Sequence, residues 1–149
     1  MTDRSPDDEK ASHYESNVFV NCPFDQAYRP LRRPLLFTLV YLGCNPRIAS
    51  ERLDSGENRI DKICELICSS RFGIHDLSRC KADRAEEFYR LNMPLELGID
   101  YGARRYGQAP LDRKLCLILT SDPYDYKKAM SDISGVDVKH HGDEPDEVV

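Results

Sequence analysis

Apolar residues in this chain occur in two spacings: short unbroken runs, and stripes that repeat every three or four positions. The run at 17–21 is rich in β-branched and aromatic residues and predicts a first buried strand. A helical stripe follows over 28–42, and its prolines place the start of the helix near Pro34, with Gly43 as the C-terminal cap. The chain therefore opens with a strand followed by a helix.

The same two spacings continue beyond this first unit. A short second strand is predicted at 45–49, where a proline indicates an edge position. The stripe through 60–67 is the most regular in the sequence and predicts a second helix, with Asp54 or Ser55 available to cap it. Residues 71–76 form the third predicted strand, so strands and helices alternate throughout the first half of the chain.

The segment Asn92–Gly98 is predicted to open a third helix. Asn92 is a favourable N-cap residue, and Pro94 falls in the first turn, where a missing N–H costs little. Glu96 is placed in the same turn, where free N–H groups and the helix dipole favour a carboxylate. The simplest interpretation of Glu96 is a charge that complements a helix end.

The last third of the sequence continues the pattern less regularly. Residues 115–119 are apolar throughout and predict a strand buried on both faces. A helix over 124–133 and an edge strand at 136–138 follow. The acidic, proline-led segment 143–149 resembles a helix start with no helix behind it, so we expect the chain to lack a final helix or to be a fragment. Before the first strand, residues 1–16 are polar and aperiodic and predict a disordered tail.

Alternating strands and helices predict a single α/β domain spanning 17–149, with a central, mostly parallel sheet of four to five strands. Right-handed crossovers and short connections favour a flavodoxin-like three-layer fold. Ligands of such folds bind beyond the carboxyl ends of the strands. The polar residues that follow the predicted strands should meet there. Glu96 should face the same crevice, because its helix begins on that side.

The composition is that of one globular domain, with 149 residues of which 40% are hydrophobic and 32% charged. The net charge of −5, without a long Lys/Arg run, gives no reason to expect a nucleic-acid partner. No apolar run approaches the roughly 20 residues of a membrane span, and no signal peptide opens the chain. We therefore expect a cytoplasmic protein without a membrane partner.

Six cysteines are scattered without a Cys-x-x-Cys pair, which predicts reduced thiols rather than disulfides. Cys64 and Cys68 share a helix face with isoleucines and are expected to pack in the core. The histidines that could bind a metal, His75 and the pair His140-His141, lack ligand partners at short spacing. No metal site is predicted.

Two carboxylates, Glu96 and Asp76, are the candidate catalytic residues of the crevice. One carboxylate can stabilise or capture a positively charged carbon while the other orients hydroxyls or moves a proton. Cleavage of an N-glycosidic bond passes through an oxocarbenium-like sugar, whose charge a nearby carboxylate stabilises. We assign Glu96 the main role and Asp76 the orienting role. The alternative is purely structural, with Glu96 complementing a helix end and Asp76 capping a turn.

Further residues are candidates for substrate binding. Asn21 could bind a ribose hydroxyl or serve as a turn residue, and Phe24 could stack on a base or pack in the core. The segment 54–56 could hold a phosphate on free N–H groups at the start of a helix, beside Arg52 or Arg59. The sequence lacks the glycine-rich patterns of dinucleotide-binding folds and P-loops. The complete set of candidates is Asn21, Phe24, Arg52, Ser55, Ser78 and Asn92.

Three stretches together resemble the nucleoside 2-deoxyribosyltransferase-like group: the strand 18–21 followed by Pro23-Phe24, Asp76 after the third strand, and Pro94-Leu95-Glu96-Leu97-Gly98 opening a helix. The same layout is similar to bacterial TIR-like (Toll/interleukin-1 receptor-like) domains. The resemblance implies N-glycosidic chemistry on a nucleoside or on a nucleotide such as NAD, with Glu96 as the reacting glutamate. It also implies a homo-oligomer and a setting in anti-phage defence or signalling.

Two features of these families are missing from this sequence. The transferase group usually carries an Asp-Ser-Gly-Thr-like segment before its glutamate, whereas residues 91–94 here read Leu-Asn-Met-Pro. The Trp-Cys pair often seen before the TIR glutamate is also missing, since the chain has no Trp. Hydrolysis is therefore favoured over transfer to an acceptor base, with NAD or another nucleotide as substrate and no cofactor. The alternative is a non-catalytic nucleotide sensor or a TIR-like self-assembly domain.

Overall fold

The computed structural model describes residues 13–51, 54–79 and 91–149. Its strands are β1 (Asn17–Asn21), β2 (Asn45–Arg47), β3 (Phe72–Asp76), β4 (Leu115–Thr120) and β5 (Val138–His140). Its α-helices are α1 (Arg29–Tyr41), α2 (Arg59–Cys68), α3 (Asn92–Tyr106) and α4 (Asp125–Ala129). The strands run parallel in one sheet, in the order β2-β1-β3-β4-β5. This order confirms the predicted flavodoxin-like fold, and β2 lies at an edge as its proline indicated.

Helices cover both faces of the sheet because successive residues of a strand point in opposite directions. Val18 and Val20 of β1 pack in one cluster with Leu35 of α1. Phe19, which lies between them, packs on the other face with Ile63 of α2. The helix α3 lies beside α2 on that second face. The result is the predicted three-layer arrangement.

Helix α1 begins earlier than its prolines suggested. The prediction of a start near Pro34 is wrong, because the helix runs from Arg29 with Pro30 in its first turn and Pro34 inside it. An interior proline removes one backbone hydrogen bond. Burial of an apolar stripe of the helix against the sheet outweighs that loss. Gly43 follows the helix at φ +78°, the left-handed conformation expected of a C-terminal cap.

The caps of the other two long helices also differ from prediction. Helix α2 is capped by Asn58, whose Oδ1 accepts from the Ile60 N–H at 3.1 Å, rather than by Asp54 or Ser55. Asn92 is the first residue of α3 and not its N-cap. Glu96 consequently lies in the second turn of the helix, beyond the free N–H groups that were expected to favour its charge.

Strand β4 is buried on both faces only in its second half. The prediction of burial throughout is wrong, since Leu115 and Leu117 are exposed while Ile118 and Leu119 are buried. Helix α1 packs over β1 and β3, and an open apolar groove beside it is lined by Phe72, Leu115 and Leu117. The first half of β4 therefore presents leucines to the surface.

The C-terminal third is built from short elements. Only Asp125–Ala129 of the predicted helix at 124–133 is α-helical, followed by a 3-10 turn at Ser131–Ile133. The segment 143–149 contains a single 3-10 turn, and Val148 packs into the α1 cluster. None of the helices within the described ranges is long and apolar enough to cross a membrane. Of the predicted disordered tail only residues 13–16 are described; these four residues are helical, and Tyr14 is buried. The rest of the tail lies outside the described residues.

Candidate functional site

A crevice is expected where neighbouring strands of a parallel sheet send their helices to opposite faces. In this fold that point lies between β1 and β3, because α1 packs on one face and α3 on the other. Asn21 at the end of β1 pairs with His75 of β3, and the next residue of β3 is Asp76. The register thus places the predicted residues Asn21 and Asp76 at the same edge of the sheet.

Asp76 is completely buried and fully supplied with hydrogen bonds. Its Oδ2 accepts from the Tyr28 hydroxyl and lies 3.0 Å from His141 Nε2. Its Oδ1 accepts from the Ser78 N–H at 2.8 Å. Burial alone would raise the pKa of Asp76, but the hydrogen bonds from His141, Ser78 and Tyr28 outweigh it and lower the pKa below its usual value. Asp76 is therefore an ionised carboxylate held between three elements.

The direction of the hydrogen bonds follows from the groups around His141. The Asp143 N–H donates to His141 Nδ1 at 3.0 Å, which requires an unprotonated Nδ1. The ring proton therefore resides on Nε2, which faces Asp76 Oδ2 and lies 3.1 Å from Ser78 Oγ. Burial, followed by the Asp76 charge, raises the pKa of Tyr28, so its hydroxyl remains a donor. His141 and Tyr28 thus both donate to the carboxylate.

Sequence reasoning missed both Tyr28 and His141 as members of this site. The sequence marks Tyr28 only as the start of a helical stripe and His141 only as a metal candidate. A signal for His141 does exist, because it directly follows β5, and the carboxyl ends of parallel strands share one edge. Tyr28 carries no comparable signal, since nothing in its spacing indicates that its hydroxyl turns towards β3.

A chain of buried polar side chains anchors α3 to the sheet; we call Asn21, His75, Asp100 and Lys114 the polar chain. Asn21 Nδ2 donates to the Met93 carbonyl at 3.0 Å and to His75 Nδ1 at 3.1 Å. His75 Nε2 lies 2.9 Å from Asp100 Oδ2, and Lys114 Nζ lies 3.2 Å from Asp100 Oδ1. Both amide protons of Asn21 are therefore already used, one on the first turn of α3 and one on His75 of β3, which leaves less of this side chain for a ribose.

His75, Asp100 and Cys116 lie close enough to suggest a metal site, with ligand atoms within 4.8 Å of one another. Their hydrogen bonding opposes one. The Asn21 amide donates to His75 Nδ1, so the proton resides on Nε2, the nitrogen that faces Asp100. The Lys114 ammonium, also against Asp100, would repel a second cation. We therefore interpret His75 and Asp100 as members of the polar chain and not as metal ligands.

Glu96 differs from Asp76 in its surroundings. Glu96 as a whole residue is 7% exposed. Within the described ranges its carboxylate makes no hydrogen bond or ion pair. Burial raises the pKa of Glu96, an effect that the Arg59 charge opposes. The negative charges of both carboxylates are felt by the Cys22 thiol. Burial raises the pKa of Cys22 to about 12, and the charges of Asp76 and Glu96 add to that rise. Glu96 and Asp76 therefore lie near the same end of β1.

The remaining candidates lie around the crevice or away from it. Phe24 is partly exposed and carries the Arg32 guanidinium 5.2 Å above its ring, so it does not pack in the core. Ser78 belongs to the Asp76 cluster, the group formed by Tyr28, Asp76, Ser78 and His141, as its two hydrogen bonds show. Asn92 and Ser55 are exposed. Arg52 lies outside the described residues.

Comparison of the sequence with protein-family models and with curated proteins finds no match.

The two carboxylates are suited to different tasks. Asp76 is ionised and occupied by donors, so it is a poor base and a poor nucleophile. Glu96 is buried without a described donor, and its charge is stabilised by little besides Arg59. A pair of carboxyl groups whose surroundings push their pKa values apart is the usual basis for a division of roles in a site. Of the two, Glu96 is the group that a positively charged ligand atom would stabilise most.

Proposed function

We propose that this crevice cleaves the N-glycosidic bond of a nucleotide such as NAD, with Glu96 as the residue that stabilises or captures the ribosyl cation. The observation that carries the proposal is the low exposure of Glu96, which is 7% exposed and has no hydrogen-bond donor among the described residues. Such a carboxylate gains more from a cation than an exposed one does, because part of its solvation has been removed. The resemblance of Glu96-Leu97-Gly98 to the glutamate segment of the deoxyribosyltransferase-like group supports the same role.

The reaction requires only water as a second reactant. The bond between ribose C1′ and the nicotinamide nitrogen breaks, and its electron pair leaves with the nicotinamide. Glu96 stabilises the positive charge at C1′ or forms a transient ester with it. Water then adds its oxygen to C1′ and loses one proton. The products are ADP-ribose, nicotinamide and H⁺.

Asp76 takes a positioning role in this proposal, which modifies the orienting role first assigned to it. Its oxygens are occupied by Tyr28, His141 and Ser78, so the Asp76 carboxylate fixes the ends of β3 and β5 rather than holding ribose hydroxyls. The residue that contacts the sugar is then Glu96.

Self-assembly without catalysis is a second candidate function, and the outer surface of α1 favours it. Phe37 and Tyr41 are 71% and 80% exposed, and their rings stack at 6.3 Å. Val40 and Leu42 extend this apolar surface. Contiguous exposed apolar residues of this kind often mark contacts between proteins.

The experiment measures release of nicotinamide from NAD by the wild type and by Glu96→Gln. We expect the variant to lose about 10²- to 10³-fold in kcat/KM, the usual cost of removing one group that stabilises charge in the transition state. Glu147→Gln, at an exposed position, is the matched control and should retain full activity. The assay is repeated at increasing protein concentration, because TIR-like domains often act as assemblies. Equal activity of wild type and Glu96→Gln, or no release at any concentration, contradicts the proposal.

A further inference from the structure

Two arginines from different parts of the chain bind the loop that follows β1. Arg79, in the turn after β3, places Nη2 3.3 Å from Asp25 Oδ1. Arg32, in α1, donates from Nη1 to the Pro23 carbonyl at 3.4 Å while its guanidinium lies over Phe24. Both guanidinium groups therefore lie at the rim of the crevice between β1 and β3.

Arg79 has donor capacity that the described residues do not use. Its Nε is buried and has no hydrogen-bond partner among them, although its side chain as a whole is 34% exposed. Its contact with Asp25 is long, and Asp25 Oδ1 already accepts from the Tyr28 N–H at 2.9 Å. Buried polar groups almost always find a partner, and one that lacks it commonly marks a site for a ligand, ion or water. The guanidinium of Arg79 is thus suited to receive an anion.

We propose that Arg79, assisted by Arg32, binds a phosphate group of the ligand in this crevice. The inference rests on the proposed function and deepens it, because it assigns residues to the phosphate that distinguishes a nucleotide from a nucleoside. Arg79 directly follows Ser78, whose N–H donates to Asp76, so its backbone is fixed to the same edge of the sheet. Its side chain exchanges the long contact with Asp25 for hydrogen bonds to phosphate oxygens. Two N–H groups of the planar guanidinium can donate to two oxygens of one phosphate.

Local charge makes these arginines necessary for such a ligand. The crevice contains the carboxylates of Asp76 and Glu96, and Asp25 lies at its rim. The whole chain has a net charge of −5. A phosphate would be repelled unless positive groups lie nearer to it than the carboxylates do. Arg79 and Arg32 meet that requirement at the rim, while Glu96 remains available for the sugar.

The first test uses inorganic pyrophosphate as the probe and isothermal titration calorimetry as the measurement. We expect Arg79→Gln to weaken binding about 10- to 100-fold, the range for a hydrogen-bonded charge. Arg105→Gln, at an exposed position in the last turn of α3, should bind as the wild type does. Arg79→Lys keeps the charge without the fork and should fall between the two, which keeps the test informative if Arg79→Gln does not fold. Equal affinity of wild type and Arg79→Gln, or no binding of pyrophosphate, overturns the inference.

The second test separates this inference from the proposed function. Nicotinamide release is compared for NAD and for nicotinamide riboside, which lacks phosphate. We expect the preference for NAD over the riboside to fall about 10- to 100-fold in Arg79→Gln. If the riboside is cleaved as efficiently as NAD, the phosphate site is overturned while the glycosidase stands. If pyrophosphate binds through Arg79 and neither compound is cleaved, the phosphate site stands and the glycosidase fails.

Discussion

His141 Nε2 lies 3.0 Å from Asp76 Oδ2, and both side chains are completely buried. This contact joins the turn after β5, an edge strand, to the end of the central strand β3. A buried carboxylate is costly unless donors surround it. The end of β3 and the turn after β5 therefore depend on each other. The Asp76 cluster (Tyr28, Asp76, Ser78 and His141) is therefore a structural junction as well as one side of the crevice.

Replacing His141 by alanine should destabilise the protein by about 2–4 kcal/mol, because it removes a donor from a buried charge. His141→Gln retains an N–H donor and should lose less. The pKa of Asp76 is lowered in the folded state, so the stability from these bonds is present above about pH 4, the unfolded value, and is lost as the pH falls towards the folded one. Urea unfolding at pH 7 and near pH 3 measures the defect, which should shrink in acid. A defect that is the same at both values would contradict this account.

Tyr28→Phe removes one hydroxyl from the same carboxylate while keeping the ring in place. We expect a loss of about 1.5–3 kcal/mol, as for other hydrogen bonds to a charged group. Since Tyr28 and His141 donate to one oxygen, the double variant Tyr28→Phe/His141→Gln should deviate from the sum of the single variants. A double-mutant cycle of unfolding free energies measures this coupling. Strict additivity would show that the two donors act independently.

Glu96→Gln should stabilise the fold at neutral pH. Burial raises the pKa of Glu96 in the folded state, so its ionised form costs stability above that pKa and costs nothing below the unfolded value near pH 4.3. The variant should therefore be about 0.5–2 kcal/mol more stable at pH 7, the range common for single stabilising substitutions. The gain should disappear as the pH falls below about 4. Thermal unfolding across pH measures it, with Glu147→Gln as the control that should show no such trend.

Gly73→Ala should disrupt the polar chain. An added Cβ would lie 2.0 Å from Asp100 Oδ2 and 3.0 Å from His75 Nε2, so the buried pair would have to move. We expect a loss of about 3 kcal/mol or more in unfolding free energy. Gly98→Ala in α3 is the control, since nothing lies within 4 Å of its Cβ, and it should gain about 1 kcal/mol from helix propensity. Equal effects of the two substitutions would argue against a tight packing of β3 on α3.

The sequence predicted the strands and the sheet class well because those depend on local spacing. The apolar run at 17–21 and the stripe through 60–67 both form the predicted elements. The errors arose where tertiary contacts overrode a local signal. Pro34 remains inside α1 because burial of the leucine stripe outweighs one lost hydrogen bond. Leu115 and Leu117 are exposed because burial depends on which helix covers a strand, which spacing does not encode.

The site was predictable in position but not in detail. Asn21 and Asp76 reach one edge of the sheet because parallel strands end together, a rule that needs only strand order. The roles of individual side chains depend on partners distant in sequence. His141 is 65 residues from Asp76, and Tyr28 is 48 residues from it. No local pattern could indicate that these donors would occupy the carboxylate and leave Glu96 as the less satisfied of the two.

The polar chain also holds α3 in place without contacts from the loops at the crevice rim. Lys114 enters it just before β4 at the amino edge of the sheet, and Asn21 ends it at the carboxyl edge beneath the first turn of α3. The helix that carries Glu96 is therefore positioned by buried groups, none of which belongs to the loop at 23–25. A change in that loop should therefore leave Glu96 in place.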